Sequence, residues 1–86
     1  DESLDSYSLA LALFRAVGNP LSEANVLQAI GDVQYFRDEL DESLDSYSLA
    51  LALFRVVGDS LGEVNVLKAI SNVQYFRDEL DESLDS

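Results

Sequence analysis

Apolar positions along the chain fall at the spacing of one helix face, and the pattern is written twice. Leu4, Tyr7, Leu11 and Phe14 are separated by three, four and three residues, which places them on one side of a helix. Ala10, Ala12 and Leu13 widen that stripe. Val26, Leu27, Ile30 and Val33 mark a second stripe. Between the two, Gly18 has the residue type that ends helices in a left-handed conformation, and Asn19-Pro20 has the types that start them. No alternating β-branched run and no Asn-Gly turn competes with this reading. The pattern predicts helices over about 1–17, 20–37, 41–57 and 60–77, with a short link at Asp38-Glu39-Leu40, its copy at 78–80, and a helix stub at 81–86.

The repetition is nearly literal. Residues 41–55 copy residues 1–15 without change, and 81–86 copy 41–46, so the period is 40 residues. Between 1–40 and 41–80 eight positions differ: Ala16/Val56, Asn19/Asp59, Pro20/Ser60, Ser22/Gly62, Ala24/Val64, Gln28/Lys68, Gly31/Ser71 and Asp32/Asn72. At the second helix start, Asn19-Pro20 is replaced by Asp59-Ser60, which offers either an Asp59 cap or a Ser60-x-x-Glu63 capping box. A fixed period of this size marks stacked hairpins, each hiding its apolar face against its neighbour. The expected fold is therefore all-α, an antiparallel helix-turn-helix solenoid of about two repeats. Its end helices are expected to leave apolar surface in water.

Residues 25–53 resemble the tetratricopeptide repeat. Leu27, Ile30 and Gly31 match the large-aliphatic-Gly pattern of that family's first helix, and Leu40, Ser43, Tyr47 and Ala50 match the aromatic-small pattern of its second. Leu67, Ile70, Leu80 and Ser83 repeat the match, while Ser71 departs from it where glycine is usual. The period of 40 exceeds the family's about 34, with the surplus falling in residues 51–62. Long, nearly identical arrays of this kind resemble those of kinesin light chains and of NLR-type receptors. The resemblance implies a concave face that binds a peptide or partner protein, lined by the first helix of each repeat. That face carries over to Asn25, Gln28, Asp32 and Tyr35, and to Asn65, Lys68, Asn72 and Tyr75. The residues themselves agree in part, since each set is spaced three, four, three on one polar helix face. Lys68 with Asn72 also resembles part of the family's clamp for a peptide C-terminus, although the other clamp positions are not basic.

Charge narrows the partners. Seventeen acidic residues against five basic ones give a net charge of −12, with no histidine. Such a field repels phosphate backbones and anionic lipid, so nucleic acid and membranes are not expected partners and a basic protein is. The five acids in residues 38–45 form a docking strip for a basic partner, a loose divalent-cation site, or simply helix N-terminal charge that aids solubility. They lack the glycine turn and terminal glutamate of a calcium loop. Without cysteine or histidine, a phosphate-cradling glycine loop or a Ser-x-x-Lys, no catalysis, metal or cofactor is expected. No apolar run approaches a membrane span and no basic leader opens the sequence, so the expected setting is the cytoplasm.

Of the adjacent aromatics Tyr35-Phe36 and Tyr75-Phe76, one of each pair is expected to be buried and one at the groove, the spacing favouring tyrosine there. Gln28/Lys68 and Asp32/Asn72 lie on the proposed groove, where they either tune a partner or drift on a solvated surface. A structural spacer or self-stacking array without a peptide ligand is the alternative function. Because 1–6 and 81–86 are the same hexapeptide, the sequence also predicts head-to-tail self-association, with helix exchange as the competing route.

Overall fold

The structure, a computed structural model, describes the backbone of residues 2–85 and the side chains of residues 5–79. It is all-α: α1 (Glu2–Val17), α2 (Pro20–Phe36), α3 (Leu40–Val57) and α4 (Ser60–Asp85), with no strand among the described residues. Each helix packs on its neighbour in sequence, α1 on α2, α2 on α3 and α3 on α4, and the α2–α3 contact is the most extensive. The backbone fills a slab of 50 × 30 × 13 Å.

Glycine closes α1 and α3. Gly18 and Gly58 have φ of +72° and +74°, open to glycine and strained for other residues. Each lets the next amide reach back five residues, Asn19 N to Phe14 O at 3.0 Å and Asp59 N to Phe54 O at 2.9 Å, which satisfies carbonyls that a helix end otherwise leaves bare. The following helix is capped at once. Asn19 Oδ1 accepts from Ser22 N at 3.1 Å, and Asp59 Oδ1 accepts from Gly62 N at 3.1 Å. Asp59, not a Ser60–Glu63 box, therefore caps α4. Glu63 instead pairs with Arg55 at 3.3 Å, as Glu23 pairs with Arg15 at 2.9 Å. Both pairs are solvated and contribute little.

The α2–α3 turn uses the same backbone without glycine. Asp38 takes φ +61°, and Glu39 N reaches Gln34 O at 2.9 Å. The expected second link, at 78–80, is not formed. There α4 continues unbroken to Asp85, so the stub predicted at 81–86 is the end of α4, apart from Ser86, which lies outside the described residues, as does Asp1. Residues 74–86 repeat 34–46 letter for letter, so the difference lies in packing. A non-glycine left-handed residue costs about 1 kcal/mol. At Asp38 that cost is offset by α3 folding back onto α2. Leu40 is buried there, Ser43 Oγ donates to Gly31 O at 2.8 Å, and Ser46 Oγ donates to Gln34 Oε1 at 2.6 Å. At Asp78 the unstrained helix is formed instead.

The core centres on α3. Leu40, Tyr47, Ala50 and Phe54 are buried against Ala24 and Leu27 of α2 and against Val66 and Val73 of α4. Burying an aromatic side chain of this kind contributes about 2–3 kcal/mol. Gly31 permits the α2–α3 approach, because a β-carbon there would lie 2.6 Å from the Tyr47 ring. Gly62 plays the same part beneath Phe54, which is 1% exposed. Its copy Phe14, opposite the larger Ser22, is only half-buried. The outer helices expose apolar side chains, Leu9, Leu13 and Val17 on α1 and Leu61, Val64 and Leu67 on α4.

Candidate partner-binding cleft

A cleft of about 200 Å³ opens where the α2–α3 hairpin meets α4. Its walls are Asp32, Tyr35 and Phe36 from α2, Tyr47 from α3, and Ala69 and Asn72 from α4. Helical spacing explains the set. Asp32, Tyr35 and Phe36 are three and four residues apart on α2, and Ala69 and Asn72 are three apart on α4.

Of the eight residues predicted for the groove, the structure brings Asp32, Tyr35 and Asn72 together here. Asn25 is exposed and Gln28 half-buried on α2, Asn65, Lys68 and Tyr75 are exposed on α4, and none of the five lines the cleft. Asp32 and Asn72 hold the same place in their repeats and stand on opposite walls.

The first aromatic pair splits the opposite way from the spacing's preference for an outward tyrosine, whereas the second pair turns its tyrosine outward. Tyr35 and Phe36 both line the cleft, with centroids 5.9 Å apart and planes at 75°. Tyr35 is half-buried because Phe76 of the next repeat meets it edge-on at 6.1 Å, whereas Phe36 is 82% exposed. In the second copy Tyr75 is 68% exposed and Phe76 is half-buried. The asymmetry follows from the junction, where Phe76 of α4 rests on Tyr35.

Tyr47 anchors the floor. Its ring is buried over Gly31 and its hydroxyl donates to the Asp32 carboxylate. Burial first, and the neighbouring Asp32 carboxylate second, raise the phenol far above the ordinary tyrosine value, so it remains a donor. Phe36, Tyr47 and Ala69 are the cleft residues that the sequence reading missed. Tyr47 lies on a different helix from Asp32, fifteen residues on, and no local pattern joins them.

The acidic run is spread out. Asp41, Glu42 and Asp45 are exposed at the start of α3, and Asp41 Oδ1 accepts from Arg77 Nη1 of α4 at 3.0 Å. Among the described residues no three carboxylates gather to hold a metal ion, and no helix is long and apolar enough to cross a membrane.

Fold and cleft together define an all-α array of helical hairpins with an aromatic-walled opening at the junction between hairpins. No family model, no curated protein and no solved structure matches the chain.

Proposed function

We propose that the chain is a protein–protein interaction module of tetratricopeptide type, entered at a second helix, in which α2 with α3 forms one repeat and α4 opens the next. The residues that carry the resemblance support this reading. Leu27, Gly31, Leu40, Ser43, Tyr47 and Ala50 are buried where α2 crosses α3, with the small residues allowing the close approach. The observation that carries the function is Phe36, a large aromatic 82% exposed on the wall of an apolar cleft. Such a surface suits a partner segment laid across the hairpin junction. The partner is a basic protein or peptide, by charge complementarity with a chain of net charge −12, and the setting is a cytoplasmic scaffold or receptor. Titrating a peptide library into the labelled protein tests it. Binders are expected to shift the amides of Phe36 and Asn72, and a library that moves neither overturns the proposal.

A second reading, self-stacking, rests on its own observation. Ala24 and Leu27 of α2 are 0% and 4% exposed under α3, but their copies Val64 and Leu67 on α4 are 48% and 40% exposed. At the other end Tyr7 and Ala10 of α1 copy Tyr47 and Ala50, which cover α2 from α3. The two outer faces are thus the two halves of an interface the chain already contains, and a second copy fits head to tail. Sedimentation over a range of concentration distinguishes this reading: a growing mass supports it and a constant monomer ends it.

A further inference from the structure

We infer that the cleft at the hairpin junction takes a cationic side chain, a lysine or arginine of the partner. The inference rests on the peptide-binding reading above and specifies the chemistry that the cleft selects. Three observations carry it. The cleft has the aromatic rings of Tyr35 and Phe36 on its walls, and an aromatic face attracts a cation within about 6 Å. It has one charged wall residue, Asp32, whose carboxylate is exposed and, beyond the Tyr47 hydroxyl, makes no other hydrogen bond among the described residues. Among the described residues no ion pair with Asp32 is formed, and Lys68, one turn before Asn72, is exposed.

The fit is one of parts. An aliphatic stem covers the apolar walls while the ammonium or guanidinium head stays at the open edge against Asp32, so the head keeps much of its water and the stem loses its own. A wholly buried cation would lose more in desolvation than it gains. The volume of about 200 Å³ admits one side chain and not a run of them. The repeat itself supplies the neutral comparison, because the second copy carries Asn72 where the first carries Asp32. The charge is therefore a property of this junction rather than of the repeat.

The experiment titrates the ¹⁵N-labelled chain with three capped tripeptides, glycine-X-glycine with X lysine, arginine or norleucine, at fixed physiological ionic strength. Lysine and arginine are expected to shift the Phe36 amide and the Asn72 side-chain amide saturably, and to bind about fivefold or more tighter than norleucine. Asp32→Asn keeps an acceptor for the Tyr47 hydroxyl and is expected to bring lysine down to the norleucine affinity. Phe36→Leu, at an exposed position, keeps the apolar wall without the ring and is expected to weaken the cations about threefold. Equal binding of norleucine and lysine, or an Asp32→Asn variant that binds lysine unchanged, overturns the inference and leaves peptide binding standing. Shifts spread over Asp41, Glu42 and Asp45 instead of the cleft overturn it as diffuse attraction. If no tripeptide moves the cleft and no library peptide does, both readings fall.

Discussion

Gly31 and Tyr47 are in contact across the α2–α3 crossing, and a β-carbon on Gly31 would lie 2.6 Å from Tyr47 Cε1 and 2.7 Å from Cδ1. The ring cannot swing away freely, because its hydroxyl is tied to Asp32 and Ser43 is buried beside it against the Gly31 carbonyl. Two effects then compete in Gly31→Ala. Helix propensity favours alanine by about 1 kcal/mol, and overpacking a close crossing costs about 1–3 kcal/mol. The clash is with a fixed ring rather than a flexible tip, so destabilisation is the expected sign. Urea unfolding is expected to place the midpoint of Gly31→Ala below that of the parent chain. A higher midpoint would mean that the crossing opens cheaply and that glycine is not what brings the helices together.

Tyr47 gives a pH signature. Its hydroxyl is harder to ionise in the folded chain than the ordinary value of 10.0, chiefly through burial and then through the Asp32 carboxylate. A group whose folded value is raised contributes its stability in full below the unfolded value and loses it above. Stability is therefore expected to hold up to about pH 10 and to fall beyond it, as the unfolded chain ionises Tyr47 and the folded chain does not. Tyr47→Phe removes that dependence and also strips Asp32 of a donor, at a cost of about 1 kcal/mol at neutral pH. Thermal melts at pH 9 and pH 11 check this: the parent chain is expected to lose more between the two than Tyr47→Phe does. Equal losses would place the alkaline sensitivity elsewhere.

Asp38 and Asp78 hold one repeat position in two backbones. Asp38 has φ +61° and ends α2, while Asp78 lies inside α4. The same substitution is therefore expected to act in opposite directions. Asp38→Gly relieves a left-handed non-glycine residue and is expected to raise stability by about 0.5–1 kcal/mol. In a domain of this size that is a rise in Tm of a few degrees, at about 4–8 °C per kcal/mol. Asp78→Gly puts glycine inside a helix and is expected to lower both helical circular dichroism and Tm, at a cost of about 1 kcal/mol. Thermal melts of the two variants side by side decide it.

These two aspartates also mark the limit of what local sequence specifies. The glycine caps, the Asn19 start and the four helical stripes were legible because each is a local cause: a left-handed residue, a short acceptor, a period of three and four. The link at Asp78 could not be told from the link at Asp38, since thirteen identical residues surround both and only the returning α3 separates them. The cleft divides in the same way. Asp32, Tyr35 and Asn72 fall on a helical stripe and were found. Tyr47 and Ala69 reach the cleft only because α3 and α4 are laid beside α2.

Ser71 carries the sharpest consequence for association between copies. It stands on α4 where Gly31 stands on α2, and the ring it would meet head to tail is Tyr7 of a second chain, the copy of Tyr47. Inside the molecule a β-carbon at this position would press on the tyrosine ring. A head-to-tail contact is therefore expected to be looser than the internal one, with the change from Ala24 to Val64 crowding it further. Ser71→Gly removes that obstacle and is expected to tighten self-association by about tenfold, equivalent to about 1.4 kcal/mol. Leu67→Asp buries a charge in the same face and is expected to keep the chain monomeric. Because each copy carries −12, mutual repulsion opposes the contact, and added salt is expected to strengthen association in the parent and in Ser71→Gly alike. Sedimentation equilibrium of the three proteins at low and high salt measures this directly. Association that Ser71→Gly leaves unchanged would mean that the chains meet through some surface other than the copied α2–α3 crossing.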